Sequence, residues 1–214
     1  MLTIFTVIYA LLVGILTILD QRLTIWQRAF TKMSAASIFV LLPLLSGTTF
    51  SIGQWVIYIG LCLCWFGDLG LVQKGVGWTF KAGLFAFLAG HIAYATGFYV
   101  LGIDWTVGFL VVPVIATAAI GIFLWLGPKL PPSLKPAVLS YIVAIAAMTS
   151  LAWCLKMPAE RWIYGVGATL FLLSDISVAL QRFTQADAKH RLWGIPMYFF
   201  AQMVFVTGLT GEII

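Results

Sequence analysis

The chain has 214 residues, of which 62% are hydrophobic and only 9% charged. A soluble domain carries roughly a quarter charged residues, so this chain cannot cover a globular surface with polar groups and reads as an integral membrane protein. Twelve Lys and Arg against seven Asp and Glu give a net charge of +5, a balance explained below by membrane topology and implying no nucleic-acid partner.

In chain order, the apolar residues predict spans over 2–19, 33–46, 52–72, 83–102, 106–126, 137–155, 162–180 and 193–211. At about 1.5 Å rise per residue, each except the second is long enough, or nearly so, for a hydrocarbon core of about 30 Å. These blocks use nearly the whole chain and leave no separate soluble catalytic head. The first has no basic leading region and no small-x-small cleavage site, and Asp20 and Arg22 follow it directly. It is expected to be a retained helix rather than a signal peptide. The expected fold is all-α, a polytopic transmembrane helix bundle of eight spans forming one domain over 1–214.

Charge in the links supports the same count. Arg22, Arg28 and Lys32, then Lys74 and Lys81, then Lys129 and Lys135, then Arg182, Lys189 and Arg191 occupy alternate links, against only Lys156 and Arg161 on the opposite side. The basic set is expected in the cytoplasm, with both termini on the non-cytoplasmic side, as for a protein of the cell's inner (plasma) membrane.

The two halves, 1–104 and 105–214, resemble each other. CWFGDLGL followed by FLAGHIAYATGF in the third and fourth spans corresponds to FLLSDISVAL followed by YFFAQMVFVTGL in the seventh and eighth. Asp68 and Asp175 stand 107 residues apart, His91 and Gln202 111, and Lys32 and Lys135 103. Four spans per half insert the same way round, so a repeat of this kind is parallel, and its pseudo-two-fold axis would turn the matched helix pairs toward each other.

Ionisable groups inside spans are costly and point to function. The spans contain three: Asp68, His91 and Asp175. Both aspartates are expected about 6–8 Å inside the cytoplasmic boundary and His91 about 13 Å inside. Tyr94 shares a face with His91, while Tyr198 lies one turn from Gln202. All of these, with Lys32 at the start of the second span, can converge on one cavity. The structural alternatives are an aspartate neutralised near a helix end, a histidine in an interhelical hydrogen bond, and Tyr94, Tyr198 and Gln202 as polar packing. Lys32 would then be an ordinary anchor.

The sequence has no GxSxG, HExxH, phosphate-binding glycine loop, dinucleotide GxGxxG or CxxC. Cys62, Cys64 and Cys154 lie inside spans, where no structural disulfide is expected. With His91 and His190 as its two histidines, the chain is expected to hold no metal or other cofactor, an Asp–His–Asp set being the remaining metal alternative. A pair of carboxylates suits general acid–base hydrolysis of an acid-labile bond, one carboxyl protonated and the other ionised.

WFGDLGL with Asp68, FLAGHIAY with His91 and Tyr94, and GATLFLLSDISVAL with Asp175 resemble the YhhN-like lysoplasmalogenase family of eight-span membrane proteins, along nearly the full length. The resemblance implies a lysophospholipid substrate, lysoplasmalogen, whose vinyl ether is hydrolysed to a fatty aldehyde and a glycerophospho-choline or -ethanolamine. Asp68 and Asp175 would be catalytic, with His91, Tyr94, Gln202, Tyr198 and Lys32 binding or supporting. A vinyl ether accepts a proton on its β-carbon and leaves an oxocarbenium ion for water to capture, which needs one acid and one carboxylate. Which aspartate is which stays open at this stage, as does the oligomeric state. Two readings of other classes also fit paired intramembrane acids: a small-solute or proton-coupled transporter, and a non-catalytic lipid-binding scaffold.

Overall fold

The computed structural model describes residues 2–73, 77–184 and 189–212, so Lys74 of the basic set lies outside the described residues. Eight α-helices follow one another: α1 Leu2–Leu19, α2 Ile25–Leu45, α3 Ile52–Gly70, α4 Trp78–Leu101, α5 Trp105–Leu126, α6 Lys135–Trp153, α7 Pro158–Phe183 and α8 Lys189–Thr210. Two short 3₁₀ turns, Gly127–Lys129 and Pro132–Leu134, join α5 to α6. The helices α2 to α8 are each long and apolar enough to cross a membrane, while α1 offers a shorter apolar stretch, Ile4–Leu19.

The second helix differs from expectation for a local reason. Thr24 and Gln27 form a capping box, with the Thr24 side chain accepting from the Gln27 amide and the Gln27 side chain accepting from the Thr24 amide. Helix therefore begins at Ile25, and Arg28 and Lys32 lie on its first two turns instead of in a link. The polar ends of α4, α7 and α8 likewise extend past the apolar blocks, since a helix continues beyond hydrocarbon wherever its terminal side chains can be solvated.

Helices α3 and α4 make the most intimate contact. Gly53, Gly60 and Gly67 on α3 face Gly97, Gly90 and Gly83 on α4 in antiparallel register: a Cβ on Gly97 would stand 2.9 Å from the Gly53 carbonyl, and one on Gly83 3.0 Å from that of Gly67. Seven-residue spacing keeps each set on one stripe, and small residues let backbones approach where apolar lipid supplies no hydrophobic drive. A Cβ at Gly60 would meet the Tyr94 ring at 2.6 Å. The next most extensive contact is α7 with α8, so the two matched helix pairs of the sequence are the two closest pairs of the fold.

A shared core joins these pairs, with Phe87, Tyr94 and Phe98 of α4 against Phe171 of α7 and Tyr198 and Phe205 of α8. Tyr9 anchors α1 to α8 by donating its hydroxyl to the Phe199 carbonyl at 2.6 Å. By contrast α5 buries only Gly108 and Leu126 and packs chiefly on α6.

At the end remote from Arg28, the α4–α5 and α6–α7 connections pair through the Ile103–Leu155 bridge. Arg161 donates there to Asp104 at 3.1 Å and to the Leu155 carbonyl at 2.7 Å. The Thr106 hydroxyl donates to the half-buried Asp104 carboxylate and, with Arg161, holds it below the usual carboxylate range. All three cysteines are free.

Candidate active site

A cavity of about 530 Å³ lies at the end of the bundle where α1 meets α2 and α7 meets α8. That is an ordinary volume for a small-molecule site. Toward α1, α2 and α8 its wall is ionic, with Asp20, Arg28, Lys32 and Arg191; toward α4, α5 and α6 it is apolar, with Phe80, Leu84, Ala119, Ile122, Leu126 and Ile142. One wet end and one long greasy wall suit an amphipathic ligand with a single chain.

Asp68 and Asp175 both line this cavity. Asp68 is two residues from the end of α3, whereas α7 continues eight residues past Asp175 to Phe183, its polar end extending beyond the apolar block.

The two carboxylates have different company. Lys32 Nζ stands 3.0 Å from Asp68 Oδ1 and also donates to the Asp68 carbonyl at 3.2 Å. Tyr198 donates its hydroxyl to Asp68 Oδ2 at 2.6 Å. Asp175 accepts from the Tyr141 hydroxyl at 2.7 Å, and His91 Nε2 lies 3.6 Å from the same Oδ2. Among the described residues no Lys or Arg makes an ion pair with Asp175. The two carboxyl side chains are 1% and 18% exposed respectively, so Asp68 is shielded by its partners while Asp175 stays open to the cavity.

The other expected residues lie behind the wall. His91 is fully buried between Tyr141 and Phe171, and neither ring nitrogen makes a hydrogen bond. Tyr94 donates to Gln202 Oε1 at 2.8 Å, both side chains buried and neither lining the cavity. Lys32 and Tyr198 reach the cavity; Tyr94 and Gln202 tie α4 to α8 beneath it. Each aspartate thus has a neighbour from the other half, Tyr198 for Asp68 and His91 for Asp175. Among the described residues no group of three or more His, Cys, Asp or Glu side chains gathers as a metal site.

Sequence reasoning missed Tyr141 and the trio Asp20, Arg28 and Arg191. Tyr141 and Asp175 are 34 residues apart, and Asp20 and Arg191 171; no local spacing links them. A tyrosine within an apolar span was the one available hint.

The family model that matches the chain is that of the YhhN family, over residues 27–209. Among curated proteins, the chain is similar to lysoplasmalogenase TMEM86A of Bos taurus, 29% identical over 154 residues that cover 69% of this chain and 62% of the bovine one. It is also similar to lysoplasmalogenase TMEM86B of Sus scrofa, 32% identical over 127 residues, 59% of this chain and 52% of the porcine one. The chain therefore spans between half and two thirds of the length of these relatives. No solved structure matches it.

Proposed function

The chain belongs to the YhhN family, and from that premise we propose that it is a membrane-embedded hydrolase cleaving the vinyl-ether bond of lysoplasmalogen. The products are a fatty aldehyde and a glycerophospho-choline or -ethanolamine. The observation that carries this reading is that two carboxylates with unlike neighbours line one cavity, between an ionic rim and an apolar wall. The bovine and porcine relatives, both named lysoplasmalogenases, support it.

The proposed roles follow from the neighbours. Asp175 meets the Tyr141 hydroxyl and the His91 imidazole, with no Lys or Arg partner among the described residues, and is the acid; Asp68 has the Lys32 ammonium to balance a negative charge and is the carboxylate. Asp175 gives its proton to the β-carbon, and the double-bond electrons form that C–H bond. The resulting oxocarbenium ion is steadied by Asp68, which takes a proton from the attacking water. In the hemiacetal so formed, Asp68 returns that proton to the glycerol oxygen as the C–O bond breaks. The hemiacetal hydroxyl proton passes to Asp175, restoring both groups. Tyr94 and Gln202 act only by holding α4 against α8.

The test is turnover by purified protein in detergent, where no ion gradient exists. We expect fatty aldehyde release, and in ¹⁸O-water no label in the glycerol oxygen of the other product. Absence of turnover overturns the hydrolase reading and returns the transporter; labelled glycerol oxygen overturns the oxocarbenium route.

This integral membrane protein is proposed to lie in the inner (plasma) membrane, both termini outside and the cavity mouth facing the cytoplasm. The skewed distribution of Lys and Arg between alternate links supports that orientation. In a background free of Cys62, Cys64 and Cys154, Thr48→Cys is expected to react with an impermeant thiol reagent from outside and Gln73→Cys not; the reverse pattern inverts the topology.

A further inference from the structure

At the ionic end of the cavity one carboxylate serves two guanidiniums. Arg28 Nε donates to Asp20 Oδ1 at 2.6 Å, and Arg191 Nη1 donates to Asp20 Oδ2. Guanidinium stays charged at any physiological pH, so this trio carries one positive charge in excess. The side chains of Arg28 and Asp20 are each 10% exposed and that of Arg191 20%. An excess charge with so little exposure favours an anion beside it. Lys32, the next cation along α2, is already paired with Asp68.

The two forks are held in position by other bonds. Arg28 Nη2 donates to the carbonyls of Asp20 and Leu23, Arg191 Nε donates to Gln181 Oε1 at 3.0 Å, and Gln181 in turn donates to Ser177 at 2.9 Å. A guanidinium has N–H groups on three nitrogens. Among the described residues, Arg28 Nη1 and Arg191 Nη2 have no protein acceptor, and both arginines line the cavity. Unused, pre-positioned donors on two adjacent guanidiniums are the usual equipment for gripping phosphate oxygens.

We propose that Arg28 and Arg191 form a phosphodiester-binding site that grips the headgroup phosphate of a single-chain lipid and sets the register of its reacting bond. The inference rests on the hydrolase reading and adds the residues that hold the substrate's phosphate. A phosphodiester carries a negative charge that the trio's excess attracts, and a monoacylglycerol carries none. The spacing agrees. Arg28 and Lys32 are one helical turn apart on α2, with Cβ atoms about 5–6 Å apart, and Lys32 is paired with Asp68. In a lysoplasmalogen the ether oxygen and phosphorus are separated by five covalent bonds through glycerol, which span about the same length. With phosphate on the arginines, the vinyl ether reaches the aspartates and the alkyl chain continues along the α4–α6 wall.

The test is equilibrium binding by the full chain in detergent, read from tryptophan fluorescence. Its probes are ester-linked lysophosphatidylcholine, which has no vinyl ether, the monoacylglycerol and lysophosphatidic acid of the same chain, and inorganic phosphate. Wild type is expected to bind lysophosphatidylcholine at least about tenfold tighter than monoacylglycerol, the worth of a charged hydrogen bond. Arg191→Gln is expected to erase that preference while leaving monoacylglycerol binding unchanged. Asp20→Asn, which frees further donors and raises the excess charge, is expected to shift preference toward lysophosphatidic acid; should Arg28→Gln fail to fold, these two variants carry the test. Equal binding of monoacylglycerol, an unchanged preference in Arg191→Gln, or competition by inorganic phosphate at the lipid's own concentration overturns the proposal. Because binding is read without turnover, a preserved phosphate preference with no aldehyde release would sink the hydrolase reading and keep the site.

Discussion

Asp68 and Asp175 follow similar stretches of sequence 107 residues apart, yet their neighbourhoods differ in kind. Asp68 is shielded and faces a lysine ammonium and a tyrosine; Asp175 is more open and faces a tyrosine and a histidine. Lys135, which matches Lys32 in the second half, is exposed and does not line the cavity. A repeated sequence can therefore give matching helices and unequal electrostatics. In the proposed mechanism, that inequality is what assigns two identical side chains opposite parts in acid–base chemistry.

The sharpest way to break this comparison is to remove each carboxyl at constant size. Asp68→Asn and Asp175→Asn are each expected to lower kcat at least about 10²-fold, the ordinary contribution of general acid–base catalysis, with melting close to wild type for Asp175→Asn and lower for Asp68→Asn, which leaves the Lys32 ammonium unpaired. Either variant keeping a third of wild-type activity would end the two-carboxylate mechanism.

A smaller effect tests which aspartate carries charge. A hydrogen bond to an ionised group is worth about 1.5–3 kcal/mol and one between neutral groups about 0.5–1.5. Tyr198→Phe, losing its bond to Asp68, should therefore cost roughly 10- to 100-fold in kcat/KM, and Tyr141→Phe roughly tenfold or less. Lys32→Gln should fall with Tyr198→Phe and be rescued by Lys32→Arg. The reverse order of the two tyrosine variants would exchange the proposed roles.

The least effect is expected from His91→Phe. It keeps a ring between Tyr141 and Phe171 and removes only the imidazole 3.6 Å from Asp175. A loss of about 1 kcal/mol, near fivefold, would match one neutral hydrogen bond formed during turnover. An unchanged rate would make His91 a packing residue, and a loss beyond a hundredfold would make it a reacting group.

Hydropathy and spacing were enough to foresee eight helices and the paired aspartates within them. Those features depend on local composition and on the recurrence of similar segments, both written in short windows of sequence. The true start of α2 was also local, in Thr24 and Gln27, but a capping box is a hydrogen-bond signal that hydropathy does not register.

What only the tertiary structure decided is which polar groups meet. Lys32 reaches Asp68 across 36 residues, Tyr198 reaches it across 130, and Arg191 reaches Asp20 across 171. These meetings depend on helix rotation and register, which are set by packing small residues against large ones over whole interfaces. The sequence by itself determined that the chain is a membrane bundle with two acids inside it. The packing decided that one acid faces a cation, that the other does not, and that two arginines share a single carboxylate at the rim, because charge balance in a buried site is a property of neighbours brought together from distant helices.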